Sequence, residues 1–273
     1  MHTNGYDASW FELFGFVVVR NALSPDECQT IAREFTDAFQ SAYADLESRR
    51  TPAWLPGLAD ATPCSTALAV DDGRLWDLSR SLLGTESLPC PPEVAWLRGI
   101  TPWHYDDPLG LRAVKFLVYV SGPATGLRLL PMSHCLPQRE AVREVLTAAV
   151  GPGKAAESPV AVAERDWLPA VAVTLHPGDL AAIDLHLWHC YRVREQRILW
   201  SPEYLAWPDE GAQRPNLAEK FNAVAGAGTN EESRHDWPVW RDWLRSPATN
   251  GYRSRAIELL TSAGAFEHGM DRC

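Results

Sequence analysis

The sequence predicts a mainly β domain, a barrel or jelly roll, with helices at both ends of the chain. Apolar residues at helical spacing occur towards both ends, whereas the region between them is rich in short strand-like runs. Gly, Pro and Asp-Pro separate these runs, a pattern typical of barrels and jelly rolls. The runs are 93–98, 112–120, 127–131, 171–175, 179–184 and 197–205. We therefore expect one domain over 1–273, with a helical part at about 1–90, a β core at about 91–207 and a helical part at about 208–273.

The N-terminal region predicts a buried strand followed by a helix. The strand is the apolar run 14–19. Ser24, Pro25 and Glu27 then form a helix start, because Ser24 can cap, Pro25 suits the first turn and Glu27 completes a capping box. Apolar residues recur at helical spacing after this start: Cys28, Ile31, Phe35, Phe39, Ala42 and Leu46. We expect this helix to bury its apolar stripe against a sheet.

The remaining helices and loops follow from Gly, Pro and periodicity. The Pro-rich, aperiodic segment 49–66 predicts a loop. Gly84 ends one short helix and Gly151 another. The predicted helices are 74–83, 138–150, 237–244 and 255–262. The long irregular segments 49–66 and 207–236 are expected to form lids, with Trp54 and Trp207 near the pocket.

Charge, cysteine spacing and the short apolar run argue against a nucleic-acid partner, a disulfide framework and a membrane span. A formal net charge of −10 argues against nucleic acid, because phosphate binding needs a basic face. The six cysteines occur singly, with no Cys-x-x-Cys pair, which favours free thiols in a reducing compartment. The apolar run 14–19 is too short for a signal peptide or a membrane span. We expect a cytoplasmic protein without membrane or nucleic-acid partners, and the oligomeric state cannot be read from these features.

The motif Trp103-His104-Tyr105-Asp106-Asp107 predicts a metal site. His104 and Asp106 stand at the start of the strand-like run 111–120, and residues i and i+2 share a face of an extended chain. His189 would complete two histidines and one carboxylate, the facial triad of non-haem Fe(II) oxygenases.

Other residues compete for these roles. On a strand, Asp107 would face away from His104 and His186 would face away from His189. His134 and His176 are expected to be structural or at the surface.

Several segments together resemble the phytanoyl-CoA dioxygenase-like family of Fe(II)/2-oxoglutarate oxygenases, in the family's order and over most of the chain. Residues 14–19 with the Ser-Pro-Asp-Glu helix start resemble its N-terminal strand and helix. The resembling motifs are Trp103-His104-Tyr105-Asp106, Gly126-Leu127 with Pro131-Met132-Ser133-His134, Pro177-Gly178-Asp179-Leu180 with Leu187-Trp188-His189, and the closing helix at 255–266. Met132 stands where the family usually has Gly.

The resemblance implies a double-stranded β-helix (jelly-roll, cupin-like) core, together with Fe(II), 2-oxoglutarate and O₂. It favours His104, Asp106 and His189 as the iron ligands, and His189 over His186. The chain departs from the family pattern at Tyr191, where some members have Ser. The interval from His189 to Arg197 is also short.

Candidate cosubstrate residues are cationic. Arg197 begins a strand-like run after His189, and its planar guanidinium suits the far carboxylate of 2-oxoglutarate, with Arg194 as the alternative. Lys115, inside an apolar strand, must either contact an anion or reach outward to solvent. Arg98 is a further candidate.

The expected reaction is oxidation, by hydroxylation, of a C–H bond in a small molecule of the natural-product type, with release of succinate and CO₂. The Asp106 carboxylate argues against halogenation, which would need a small residue there, and leaves desaturation or ring chemistry as alternatives to hydroxylation. The alternatives are a zinc hydrolase that uses the same triad, and a sensor that binds metal and 2-oxoglutarate without turnover.

Overall fold

The computed structural model describes residues 5–43, 53–56, 62–106, 110–122, 124–150, 168–208 and 251–263. The helices of these regions are α1 (Gly5–Phe14), α2 (Pro25–Ala42), α3 (Pro63–Thr66), α4 (Arg74–Leu83), α5 (Leu136–Val150) and α6 (Gly251–Ser262), with a π-helical segment at Ala67–Asp71. The strands are β1 (Phe16–Val19), β2 (Ala53–Pro56), β3 (Ser87–His104), β4 (Ala113–Tyr119), β5 (Ala124–Leu129), β6 (Val171–Leu175), β7 (Leu180–Asp184) and β8 (His189–Ala206). The predicted mainly β core with flanking helices is confirmed.

Two long strands, β3 and β8, hold the sheet together. They pair antiparallel from Ser87–Ala206 to His104–His189. The second half of β8 also pairs with β4, and its first half pairs with β5. The strand order is β1-β7-β4-β8-β3-β2, and β5 and β6 continue from the first half of β8. The sheet therefore curls into a half-barrel whose inner face is enclosed.

Both faces of the central strands are buried. Every residue of β4 is buried, which explains why its sequence is apolar apart from Lys115. Leu117 and Tyr119 belong to the inner cluster, whereas Phe116 and Val118 pack on the helix side. The helices thus cover the outer face of the curled sheet.

The predicted start of α2 is present in full. The Ser24 hydroxyl accepts a hydrogen bond from the Glu27 backbone N–H, and the Glu27 carboxylate accepts one from the Ser24 N–H at 2.7 Å. The helix buries Cys28, Ile31, Phe35 and Phe39 of the predicted stripe. Ala42 is half-buried at its end, and Leu46 lies outside the described residues.

The Pro-Gly-Asp motif ties two chain segments together. The buried Asp179 carboxylate accepts hydrogen bonds from the backbone N–H groups of Asn21 and His176, each at 3.0 Å, and from Arg20. Gly178 has φ +94°, and a Cβ there would lie 2.6 Å from the Leu23 carbonyl oxygen. Only glycine fits this close approach.

Some predicted boundaries were wrong. β3 extends well beyond 93–98, and β8 begins at His189 rather than at 197. Helix α1 was not predicted, because its exposed Trp10 and Leu13 break the apolar periodicity.

The segment 49–66, predicted as a loop, contains β2 and α3. Strand β2 forms only because it pairs with β3, a contact that local sequence does not encode. Trp54 lies on β2 and is exposed, whereas Trp207 packs on the helix side of the core. The predicted helix 237–244 lies outside the described residues, as does most of the predicted lid 207–236.

Among the helices in the described part of the chain, none has the length and apolarity to cross a membrane.

Met132 adopts a backbone conformation that favours glycine. Its φ is +66°, in the left-handed region, and its side chain is 39% exposed. We expect Met132→Gly to be more stable to unfolding than Met132→Ala by about 1 kcal/mol, because only the Ala variant keeps a Cβ in this region. Urea unfolding of both variants measures the difference. Equal stabilities would show that the left-handed conformation is not strained.

Candidate metal centre

Three predicted side chains converge at one end of the half-barrel. One ligand atom from each of His104, Asp106 and His189 lies within 4.8 Å of the other two. The Nε2 atom of His104 is 3.5 Å from Asp106 Oδ1, and the Nε2 atom of His189 is 3.8 Å from Asp106 Oδ2. The described residues contain this single group of metal-ligand type.

The backbone positions these side chains differently from the sequence prediction. His104 is the last residue of β3 and faces His189, the first residue of β8. Asp106 lies beyond β3 in a bend, and its N–H donates to the Leu185 carbonyl at 2.8 Å. The prediction that His104 and Asp106 begin the next strand was therefore wrong. The cross-strand pair places His104 opposite His189, and the backbone hydrogen bond to Leu185 positions Asp106.

Both imidazoles are oriented by backbone carbonyls. The Nδ1 atom of His104 lies 2.8 Å from the Pro102 carbonyl, and the Nδ1 atom of His189 lies 2.9 Å from the Leu187 carbonyl. A carbonyl only accepts, so Nδ1 carries the proton and each Nε2 presents its lone pair to the centre. This second interaction is the usual support of a metal-binding histidine.

Burial and charge prepare the group for a cation. Burial, with a smaller effect from His104, lowers the pKa of His189 to about 3, so its ring stays neutral near pH 7. Burial opposes ionisation of Asp106. The Lys115 ammonium and the two histidines outweigh that effect and hold the pKa of this carboxyl well below its ordinary value.

Lys115 points inward, which decides between its two predicted orientations. Its ammonium lies 3.1 Å from Asp106 Oδ2 and 3.0 Å from Glu93 Oε2, and the residue is 6% exposed. Burial disfavours its charge, but Asp106, Glu93 and Glu203 together raise its pKa well above the ordinary value. The sequence left an anion contact as one of two alternatives and did not identify Asp106 as the anion.

The other predicted cosubstrate residues lie farther along the sheet. Arg197 pairs with Leu97, and its guanidinium donates to the Gln196 carbonyl and to the Glu195 carboxylate. Arg98 is exposed at the bulge of β3. The Arg194 side chain lies outside the described residues, so Arg194 stays a predicted alternative to Arg197 for the far carboxylate of 2-oxoglutarate.

The competing histidines have other contacts. His186 Nδ1 lies 3.2 Å from Asp184 Oδ1, and His134 Nε2 lies 3.0 Å from the Glu12 carbonyl. The His176 side chain is mostly exposed. The structural or surface roles predicted for His134 and His176 agree with these contacts. Asp107 lies outside the described residues.

Sequence reasoning missed two buried hydroxyls. The Tyr119 hydroxyl on β4 and the Ser201 hydroxyl on β8 are buried without a hydrogen-bond partner in the described part of the protein. Tyr119 pairs with Leu199, two residues from Ser201 on the same strand face, so the two side chains are diagonal neighbours. The sequence feature that could have identified them is a hydroxyl-bearing residue within each of the strand-like runs 112–120 and 197–205.

Comparisons with family models and with curated proteins found no match. Solved structures do match. The α-ketoglutarate-dependent non-haem carbocyclase SnoK from nogalamycin biosynthesis has a TM-score of 0.58 at 14% identity, over 75% of this chain and 85% of SnoK. EvdO2 from Micromonospora carbonacea var. aurantiaca, crystallised with 2-oxoglutarate, has a TM-score of 0.58 at 15% identity, over 78% and 94%.

A third match is the non-haem α-ketoglutarate-dependent epimerase SnoN, also from nogalamycin biosynthesis. Its TM-score is 0.53 at 19% identity, over 74% of this chain and 82% of SnoN. SnoN has also been crystallised with Fe³⁺, α-ketoglutarate and nogalamycin RO. This chain has the fold of these enzymes. The predicted jelly-roll core is confirmed.

The low pKa of His189 predicts a pH-dependent stability. The folded protein binds a proton at His189 only near pH 3, whereas the unfolded chain binds one near pH 6.5. The contribution is therefore fully present above pH 6.5 and is lost as pH falls. Between pH 7 and pH 5 we expect the wild type to lose about 2 kcal/mol more unfolding free energy than His189→Gln.

Urea unfolding of the metal-free protein at the two pH values measures this difference. The same His-to-Gln change at the exposed His176 controls for the substitution itself. An equal loss in the wild type and in His189→Gln would contradict a depressed pKa at His189.

Proposed function

We propose that this chain is an Fe(II)- and 2-oxoglutarate-dependent oxygenase that hydroxylates a C–H bond of a small molecule, and that it belongs to the phytanoyl-CoA dioxygenase-like group. The observation that carries the proposal is the convergence of His104, Asp106 and His189 at one end of the jelly roll. Two histidines and one carboxylate leave coordination positions open on non-haem iron, unlike a closed structural site.

The donor set fits iron. Both Nε2 atoms face the centre, Asp106 is ionised and His189 is neutral, so neither Asp106 nor His189 has to lose a proton near neutral pH. The match to SnoN, whose structure contains Fe³⁺, supports iron over zinc.

The interior also fits a dicarboxylate cosubstrate. A buried hydroxyl without a partner costs free energy, and a bound carboxylate would remove that cost at Tyr119 and Ser201. Arg197 is also diagonal to Tyr119. It lies two residues before Leu199 on β8, whereas Ser201 lies two residues after it. We infer that these three residues bind the far carboxylate of 2-oxoglutarate. The exposed Arg98, the other predicted candidate on β3, has no part in this assignment.

Bound iron with 2-oxoglutarate and O₂ would supply oxidation of the substrate. One substrate C–H bond would become C–OH, and 2-oxoglutarate would be converted to succinate and CO₂. One oxygen atom of O₂ would enter the new hydroxyl group and the other would enter succinate. The chain's own residues would hold the ligands, bind the cosubstrate and exclude water. SnoK and SnoN are described as a carbocyclase and an epimerase, so ring formation and epimerisation are the alternatives to hydroxylation.

Anaerobic binding tests the proposal directly. The metal-free wild type should develop a weak visible charge-transfer band only when both Fe(II) and 2-oxoglutarate are present, because the cosubstrate chelates iron at open positions. Asp106→Ala should show no band and no succinate release, whereas the surface control His176→Gln should match the wild type. A band in Asp106→Ala would refute the ligand assignment. Activity without 2-oxoglutarate and O₂ would instead favour a hydrolase.

Tyr119→Phe separates a ligand-binding hydroxyl from a structural one. We expect its unfolding free energy to equal or exceed that of the wild type, because it removes an unpaired buried hydroxyl. The dissociation constant of 2-oxoglutarate should rise about tenfold, since a hydrogen bond to a carboxylate contributes about 1.5 kcal/mol or more.

The matched control is Tyr204→Phe. The Tyr204 hydroxyl is equally buried but donates to the Ala69 carbonyl on the helix side. We expect this variant to lose about 1 kcal/mol of stability and to keep its affinity for 2-oxoglutarate. Unchanged affinity in Tyr119→Phe would remove Tyr119 from the cosubstrate site.

A further inference from the structure

We propose that Lys115 is a positioning residue of the metal centre, which holds the Asp106 carboxylate in place for the cation and does not bind cosubstrate. The inference rests on the proposed function, since it concerns the same site. Its geometric basis is the hydrogen bond from Lys115 Nζ to Asp106 Oδ2 at 3.1 Å.

Asp106 needs the kind of support that the two histidines obtain from the chain just before them. His104 ends β3 and His189 begins β8, and each ring is fixed by a carbonyl two residues earlier. Asp106 lies in the bend after β3. The Lys115 ammonium gives this carboxylate the second contact that metal ligands commonly have.

The support itself is rigid. Strand β4, which carries Lys115, is buried along its length between β7 and β8. A second carboxylate, Glu93 on β3, lies 3.0 Å from the same ammonium. Glu203, the cross-strand neighbour of Lys115, adds a further negative charge. A lysine side chain that starts from a buried strand and is also held by Glu93 cannot sample many rotamers, so it can fix Asp106.

Charge argues against a cosubstrate role for Lys115. Its ammonium already contacts two carboxylates and lies near a third, and only 8% of its side chain is exposed. Another anion at the same position would be repelled by Glu93 and Glu203, whereas a metal cation beside Asp106 would be attracted by them.

The two roles differ in a measurement made without 2-oxoglutarate. Co(II), titrated into the metal-free protein and followed by its visible absorption, reports the metal site alone. A positioning role predicts that Lys115→Met weakens Co(II) binding about 10-fold to 100-fold and alters the absorption of bound Co(II). A cosubstrate role predicts unchanged Co(II) binding and a loss confined to 2-oxoglutarate affinity.

Arg253 provides a matched control for the loss of a buried ion pair. It is buried like Lys115 and binds both oxygens of Asp71, but it lies on α6, away from the sheet interior. Arg253→Met should be destabilised while its Co(II) dissociation constant stays within about twofold of the wild type, because distant sites without shared partners are nearly independent. A Co(II) loss equal to that in Lys115→Met would mean a general effect of destabilisation and overturn the proposal.

A second variant covers the case in which Lys115→Met does not fold. Lys115→Met with Glu203→Gln removes one negative charge together with the ammonium, and circular dichroism and thermal unfolding identify the folded variants. Wild-type Co(II) affinity and spectrum in a folded variant would overturn the positioning role. Failure of the wild type to bind Co(II) would instead refute the metal centre, and with it the proposed function.

Discussion

The antiparallel pairing of β3 with β8 is the constraint on which the rest of the structure depends. The two strands pass through both halves of the curled sheet, and their pairing ends at His104 opposite His189. A shift of one residue in this register would turn one ring away from the other. Two bulges, between Leu97 and Gly99 and between Thr101 and His104, shift the register near the end of this pairing. With these shifts, His104 and His189 lie opposite each other.

The inner face of the half-barrel is divided by polarity. At the metal end, Lys115 is surrounded by carboxylates, and an uncompensated charge there would be costly. The middle of the inner face is apolar, with Leu117 and Leu199 among its residues. The hydroxyls of Tyr119 and Ser201, which have no hydrogen-bond partner in the described part of the protein, interrupt this apolar region. Such groups reduce the stability of the protein, a cost that the proposed cosubstrate site would explain.

Several motif residues serve the site from a distance. The Ser133 hydroxyl donates to the Leu130 carbonyl and accepts from the Trp188 N–H, so it joins the end of β5 to the residue before His189. Leu130 and Trp188 are also joined by a backbone hydrogen bond of 3.0 Å. Gly178 and Asp179 perform a similar task at the end of β1. Some residues of the motifs that resemble an oxygenase family therefore hold the backbone around the candidate site and are not candidate ligands themselves.

The sequence by itself determined the mainly β class and the capped helix α2, because these depend on periodicity and capping. It predicted the candidate metal ligands from the spacing of His104 and Asp106 and from a family resemblance that includes His189. Only the tertiary structure decided how the triad assembles. His104 and His189 are 85 positions apart in sequence, and strand pairing alone makes them neighbours. The same holds for Lys115, whose partners Asp106 and Glu93 come from other segments. It also holds for Tyr119 and Ser201, whose hydroxyls lack a hydrogen-bond partner among the described residues. Local sequence encodes conformation, whereas the pairing of distant segments depends on which buried surfaces and charges fit together.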